Sequence, residues 1–537
     1  MKRRRIVVAI AAALASTTAG AASNFDWNLE WTFDHSVTNA KGSEIVAYDA
    51  DNLHLWVIGT DANQANLGFG GIDVLDLSGN LLQSIDTRSL GGINSVAVKN
   101  GQAAVAITAP VKTDAGLVRF YDTGTYNVLQ DVTVGANPDA VTFTPNGGKL
   151  LVANEGEPGS YLTGPSGDPL GSVSIIDSTG YNLQTAGFEA FNSQAAALKA
   201  AGVRLTGPNA SVAQDLEPEY IAVSRDGSSA MVTLQEANSV AIVDIASATV
   251  TGIKALGMKD HSLPGNGLDV SDRDGAGSNP LNGNIQNWNI KGLYMPDGIA
   301  SFDNNGNQFY VIANEGDSRA DWPGGNDEVR LGSANIDPAL AADLAAEFGP
   351  DWKTNNDKLN RLNISSTSGD LDGDGDLDEI QVFGARSFSI LDVAGNIVFD
   401  SGDQLEQIIS AQFPSLWDDG RSDNKGPEPE SAVVGKVNGR DLLFLGLERA
   451  NAVMVWDLTD LANIAFLDMI FTTGDVSPEG LSFFGNAQGS FLAVANEVSG
   501  TTSLFKVSAV PVPGAVWLFG SALLGLVGAS RRRAVSV

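Results

Sequence analysis

Residues 429–458, PESAVVGKVNGRDLLFLGLERANAVMVWDL, hold three apolar runs separated by two short polar turns. Short runs of this kind, bounded by Gly, Asn and charged residues, read as consecutive antiparallel β-strands. The pattern is not local. It returns at 43–77 (SEIVAYDADNLHLWVIGT to GGIDVLDL), 93–122 (INSVAVKNGQAAVAIT to GLVRFYD), 138–177 (PDAVTFTPNGGKLLVANEGEPG to GSVSIID), 218–245 and 478–507. A further copy begins at 296 with PDGIASFDNNGNQFYVIANEGDSRAD and has its third strand delayed to RSFSILDV, 386–393. Repeats of a strand-rich unit, each unable to bury its own faces, imply stacking around a common core. Seven such copies predict an all-β chain, a seven-bladed β-propeller with short helical insertions. A pair of β-sandwiches is the rival, and it explains the length but not the uniform copies. FEAFNSQAAALKAAGVRL (188–205) and PALAADLAAEFGPDWKTNNDKLNRL (338–362) carry apolar residues at helical spacing. These insertions cover one face of the repeats, either as a lid or as decoration.

Aligning the copies brings carboxylates into register. In five of them one acid opens the first strand and another closes the second: Asp139 with Glu155, Glu219 with Glu236, Asp297 with Glu315, Glu430 with Glu448, and Glu479 with Glu497. First strands of propeller blades line the central channel, so these side chains are expected at one mouth of it. Crowded carboxylates repel unless cations or donors offset them. Oxygen-rich sites suit divalent cations, calcium best, because it accepts six to eight ligands in irregular geometry. The competing reading is ion pairing with Arg319, Arg386, Arg449 or Lys425.

A second acidic cluster is contiguous. DLDGDGDLDEI, 370–380, sets Asp370, Asp372 and Asp374 at alternate positions before Gly375, then Asp376 and Asp378, with Leu377 where calcium loops keep an apolar residue. Gln381 stands where an EF-hand has its bidentate Glu, so this is a calcium-type D-x-D-x-D-G loop or a solvated acidic turn. DVSDRDG (269–275), with Asp269, Asp272 and Asp274, is a weaker candidate of the same kind. His35, His54 and His261 are the only histidines; no Ser-His-Asp motif and no phosphate-binding glycine loop stands out. Any chemistry would be metal-assisted on carboxylates.

The 537 residues include 60 Gly, no Cys, and 64 acidic against 32 basic residues, with 43% hydrophobic overall. That composition suits a turn-rich β fold with a large core and rules out disulfide stapling. Residues 1–21 read as a secretory signal: MKRRR, an apolar run, and Ala19-Gly20-Ala21 as cleavage site. Residues 22–508 form the propeller domain. Residues 509–537 contain VPVPGAVWLFGSALLGLVGASRRR, a short apolar span with a positive stop. Loss of both ends removes only basic residues, so the mature chain is more negative than the −32 of the full sequence. This argues against nucleic acid as a partner and favours divalent cations.

The tail, from Val510-Pro511-Val512-Pro513 onward, resembles PEP-CTERM-type sorting signals in their V-P-x-P variant. The resemblance implies a Gram-negative exporter, an exosortase-type processing enzyme and transient membrane anchoring. The body, through DVSDRDG with KGLYMPDGIASF, ANEGDSRAD, LDGDGDLDE with FGARSFSI, and KGPEPESAVVG, resembles the choice-of-anchor I domain family over about residues 30–507. That family is similar to mesenchyme-specific cell-surface glycoproteins, which implies an exported propeller of the cell envelope, cell surface or extracellular matrix that binds calcium. Some relatives carry an alkaline-phosphatase label. Two functions therefore stand side by side: a non-catalytic, calcium-binding surface protein whose partner is a surface polysaccharide, or a calcium-dependent phosphoesterase with its site at the axis and Arg319 or Arg449 clamping the phosphate.

Maturation is directly testable. Intact-mass analysis of native protein should show a chain beginning near Ala22 and ending near the Val510–Pro513 region. A mass that retains WLFGSALLGL and the terminal arginines would mean that the tail persists as an anchor.

Overall fold

The computed structural model describes residues 25–60, 70–163, 167–274, 283–320 and 322–509, so the signal and sorting segments lie outside the described residues. Trp27–Val507 form one compact unit. Among the described residues the chain is built mainly of four-stranded antiparallel sheets, seven of them, with one three-stranded and one two-stranded sheet between. Each follows the same up-and-down order. The third sheet is typical: Pro138–Phe143, Lys149–Asn154, Ser172–Asp177 and Leu183–Gly187 in sequence. In chain order the inner strands of the seven sheets begin at Ile45, Gly92, Pro138, Pro218, Ile299, Pro429 and Pro478. Each touches the next, and the last touches the first. They surround a channel of about 200 Å³ lined by Ile45, Val96, Val141, Ile221, Ile299 and Ala432, among others. That closed ring is β-propeller architecture and excludes the pair of sandwiches.

Burial explains the patterning. Second strands are sandwiched between sheets on both faces and read as unbroken apolar runs: His54–Thr60 and Lys149–Asn154 are buried along almost their full length. Outer strands such as Leu81–Asp86 and Val128–Ala136 face solvent and mix polar residues with exposed Leu81, Leu82, Val128 and Leu129. The hairpins between first and second strands turn where φ is positive, at Asn100-Gly101, Asn305-Gly306 and Asn438-Gly439. Asn-Gly tolerates that conformation, and the tight turn holds register.

The delayed third strand is where the sequence places it. Ser387–Leu391 pairs with Asn307–Asn314 although more than seventy residues intervene. The described part of the intervening segment, with residues 256–274 and 283–296, forms its own apolar cluster around Trp288, Leu331, Leu344, Trp352, Ile364 and Leu377. The helices are shorter than their spacing suggests. In the second insertion the helix covers only Pro338–Phe348; Asp337 caps it by accepting from Ala339 and Leu340, and Gly349 at φ 89° ends it before Pro350. In the first, a 3₁₀ turn, Glu189–Gln194, leads into a helix at Ala195–Ala200.

One element has no counterpart in the repeat reading. The seventh sheet takes its first three strands from Pro478–Asn486, Gly489–Asn496 and Thr501–Ala509, and its fourth from Phe25–Asp34. Thr32 bonds to Ser503 at 2.7 Å, and the His35 N–H donates to Gly500 at 3.0 Å. Just beyond this strand, His35 Nδ1 lies 2.7 Å from Asp73 in the first sheet, and its Nε2 lies 2.9 Å from Thr502. Both His35 and Asp73 are fully buried, and the second oxygen of Asp73 has no other partner. His35→Leu should therefore leave a buried carboxylate stranded and cost about 3–5 kcal/mol. A guanidinium midpoint unchanged from the parent would show that closure does not rely on this contact.

Candidate functional site

The five acid pairs are positioned by a repeated backbone device. Asp139, Glu219, Asp297, Glu430 and Glu479 each follow a proline. Pro lacks a donor and is tolerated at the first residue of a strand, where the ladder has not begun. Directly after it the register slips, between Pro138 and Val141, Pro218 and Ile221, Pro429 and Ala432, and Pro478 and Gly480. A bulge of this kind re-aims the extra side chain. The residue before the proline is left-handed at Asn137, Met295, Glu428 and Ser477. Its carbonyl accepts the N–H of the second acid: Glu155 to Asn137 at 3.0 Å, Glu448 to Glu428 at 2.9 Å, Glu497 to Ser477 at 2.8 Å. The two acids of a pair thus flank one hairpin mouth, which accounts for their regular spacing.

Most of these side chains converge, whereas Glu497 is exposed. Burial drives Glu219 well above the ordinary carboxylate range, reinforced by Glu155, Glu236, Asp139 and Asp297. Burial does the same to Glu479, with Glu44, Glu497, Asp297 and Asp139 adding to it. Acids from the first, third, fourth, fifth and seventh sheets therefore share one field. Carboxylate oxygens of Asp297, Glu315 and Glu430 lie within 4.8 Å of one another, as do those of Glu315, Glu428 and Glu448. Close approach of neighbouring inner strands helps: the Gly298 N–H donates to the Glu430 carbonyl at 3.0 Å, and a Cβ at Gly298 would overlap that oxygen.

Several participants escape the repeat alignment. Glu44 opens the first sheet as Asp139 opens the third, but no proline precedes it. It is half-buried and accepts from Thr60 N–H at 3.0 Å. In the second sheet the bulge residue is Asn94, which donates to Thr108 and to the Pro138 carbonyl. Glu217 and Glu428, each just before a strand-opening proline, and Glu157 and Asp317, two residues past the second acid, complete the acidic set.

Four cations partly offset this charge. Lys112 pairs with Glu157. Arg319, 1% exposed, donates to Asp215 at 2.8 Å and Glu217 at 2.9 Å. Lys425 lies 2.7 Å from Glu315, 3.6 Å from Asp317 and 3.8 Å from Glu428. Arg449 lies 3.1 Å from Glu428 and 2.9 Å from Glu448. Ion pairing at the ring is thus real for Arg319, Arg449 and Lys425. It is not for Arg386, which is buried against Glu406 at 2.7 Å and the carbonyls of Asp269, Ser422 and Asn424. Because Arg319 is engulfed by its own acids and by Tyr161, it is not free to clamp a substrate phosphate. Compensation is incomplete: Glu236, 2% exposed, keeps a buried oxygen without a partner, as do Glu430 and Glu479.

The contiguous acidic loop divides in two. Asp370, Asp372 and Asp374 gather their carboxylates, with Asp370 accepting from Gly373 at 2.7 Å and Gly375 at 3.1 Å. Carboxylate oxygens of Asp376 and Asp378 lie close to Asp337, the helix cap, while Asp378 also accepts from the Leu371 N–H at 2.7 Å. Leu377 is buried in the insertion core, as its position suggests. In the weaker motif, Asp269 and Asp274 meet Asp419, whereas Asp272 is taken by Arg361. No His belongs to any of these groups, so all offer hard oxygen ligands only.

Comparison with known proteins follows the same line. Residues 44–461 match the protein-family model described as the Choice-of-anchor I domain. The chain is 25% identical over 257 residues to a mesenchyme-specific cell surface glycoprotein of Strongylocentrotus purpuratus, covering 40% of this chain and 32% of that protein. It is 28% identical over 191 residues to Gigasin-3a of Magallana gigas, covering 29% of this chain and 66% of that one. In neither does the match reach two thirds of the relative's length. Among solved structures, Kuenenia stuttgartiensis hydrazine synthase superposes with a TM-score of 0.46 at 12% identity, over 88% of this chain and 97% of that one. The β-propeller domain of Cps50 (Swd1) from Myceliophteria thermophila gives 0.45 at 8% identity, over 90% and 99%.

The buried acids have a consequence for stability. Burial pushes Glu44, Asp139 and Glu448 each up to about 7. A folded carboxyl that holds its proton above the ordinary value of about 4 contributes stability below that value and loses it as pH rises through about 7. In chelator, the denaturation midpoint should fall between pH 5 and pH 7.5, and calcium should restore it at the upper end. A midpoint that is flat or rising across that window in chelator would contradict this account.

Proposed function

We propose, from the premise that this chain belongs to the choice-of-anchor I domain family, that it is an exported seven-bladed propeller of the cell surface or extracellular matrix. In this reading it binds calcium and catalyses nothing. The observation that carries it is the ring of buried and half-buried acids at the channel mouth, which has more carboxylates than its lysines and arginines offset. A hard divalent cation supplies the missing charge, and calcium tolerates the irregular oxygen arrangement that blades of different sequence present. The cell-surface naming of one relative supports the location. Residues 1–21 as a signal peptide, and 509–537 as a sorting tail handled by an exosortase-type enzyme in a Gram-negative envelope, belong to the same proposal. Asp370, Asp372 and Asp374 form a second, exposed calcium position, and the natural partner of such a surface is an anionic or hydroxyl-rich polysaccharide.

The rival, a calcium-dependent phosphoesterase, retains only Arg449 as a phosphate clamp, and that side chain is already paired with Glu428 and Glu448. Metal analysis of the purified mature protein, run beside a phosphomonoester turnover assay, separates the two. We expect bound calcium and no hydrolysis; hydrolysis abolished by Glu448→Gln in a folded protein would establish the enzyme instead. At the exposed loop, the double substitution Asp372→Ala, Asp374→Ala should lower the melting temperature in calcium but not in chelator. Equal shifts in both conditions would make the loop an ordinary turn.

A further inference from the structure

Resting on that axial reading, the geometry points to where the cation sits and what holds its place: Asp297, Glu315 and Glu430 bind a single divalent ion between the fifth and sixth sheets, and Lys425 is the internal counter-ion it displaces.

Asp297 is 7% exposed. Among the described residues no hydrogen bond or ion pair reaches its carboxylate, although Glu315 and Glu430 oxygens lie within 4.8 Å. A carboxylate that deep without a donor is costly unless a ligand supplies the charge. Glu430 presents a second buried oxygen that has no partner. The spacing suits calcium, since ligands 2.3–2.6 Å from one ion lie at most about 5 Å apart. The other close triad, Glu315 with Glu428 and Glu448, is already paired with Lys425 and Arg449, and among the described residues the remaining sectors bring no such three together. Glu155, Glu219 and Glu236 do not bring three oxygens within the same mutual distance, and Glu44 is held by Thr60.

Lys425 is the cation that an incoming ion meets at Glu315. Its Nζ lies 2.7 Å from one oxygen of Glu315, while the other oxygen accepts from Gln235 at 2.8 Å. Asp317 and Glu428 stand 3.6 and 3.8 Å from the same ammonium. A short swing of a flexible side chain therefore releases Glu315 to the incoming ion while Lys425 stays paired with acids outside the pocket. Exchange of one positive charge for two favours the divalent ion, because it offsets two of the three carboxylate charges where Lys425 offsets one.

The test is calorimetric titration of calcium into the full mature chain carrying Asp372→Ala and Asp374→Ala, which removes the exposed loop. Asp297→Asn and Glu430→Gln should each weaken binding about tenfold or more. Lys425→Met should do the opposite: the chelated protein melts lower, yet calcium binds several-fold tighter, because its competitor is gone. A purely structural Lys425 would lose stability with affinity unchanged or reduced, and that result overturns the displacement. Circular dichroism matching the parent qualifies each variant, and Glu430→Gln serves if Asp297→Asn does not fold. If Asp297→Asn and Glu430→Gln leave affinity intact while Glu219→Gln or Glu236→Gln weakens it, calcium sits elsewhere in the ring: the placement is wrong and the axial reading survives. If the chain carrying Asp372→Ala and Asp374→Ala binds no calcium at all, the axial reading fails, and this inference with it.

Discussion

Packing between the apolar faces of neighbouring sheets carries everything else in this molecule. Trp56, Trp456, Phe388 and Phe444 are fully buried between blades, together with the aliphatic second strands. Burying each such side chain contributes about 1.5–3 kcal/mol. Against that stands the axis, where carboxylates are desolvated beside one another, and an unpaired buried charge costs several kcal/mol. A small domain could not sustain such a site. A ring of this size can, because its core is large and distributed while the unfavourable charge is confined to one mouth.

The inner strands convert that core into a site. Proline starts the strand, the bulge turns one side chain inward, and the carbonyl two residues before the first acid fixes the second. Since every step is a backbone event, the acids can be replaced without disturbing their placement. Asn94 occupies a bulge in the second sheet as an amide, and Glu44 stands in the first without its proline. The ring is therefore not rotationally uniform. Its cations are also gathered unevenly, with Lys425 and Arg449 on one side, Lys112 and Arg319 on another, and Thr60 alone supporting Glu44.

Much of this was legible in the sequence because propeller repeats are local. Turn residues, alternation and the Pro-acid start lie within about thirty residues of each other, so aligned copies reveal both the strands and the five pairs. What escaped was settled by distance. Asp419 joins Asp269 and Asp274 from far along the chain, and Asp337, the helix cap, comes beside Asp376 and Asp378. Arg319 looked available until Asp215 and Glu217, from the segment before the fourth sheet, enclosed it. Phe25–Asp34 lies before the first repeat, and nothing near it in sequence says that its partner is Thr501–Ala509.

That pairing also orders events in time. The Thr32 to Ser503 bond joins residues 471 apart. Loop-closure entropy grows slowly with length, but the search for so distant a partner is slow, and contacts of this kind form late. During synthesis the first six sheets can collapse as they emerge, while Phe25–Asp34 must wait until the final strand exists. Through that interval the chain exposes unpaired strand edges at both ends of an open arc, the condition in which β-rich chains misassemble with their neighbours. For this protein the vulnerable moment is the last turn of the circle, and a helper that shields the waiting strand would serve it better than one that accelerates collapse.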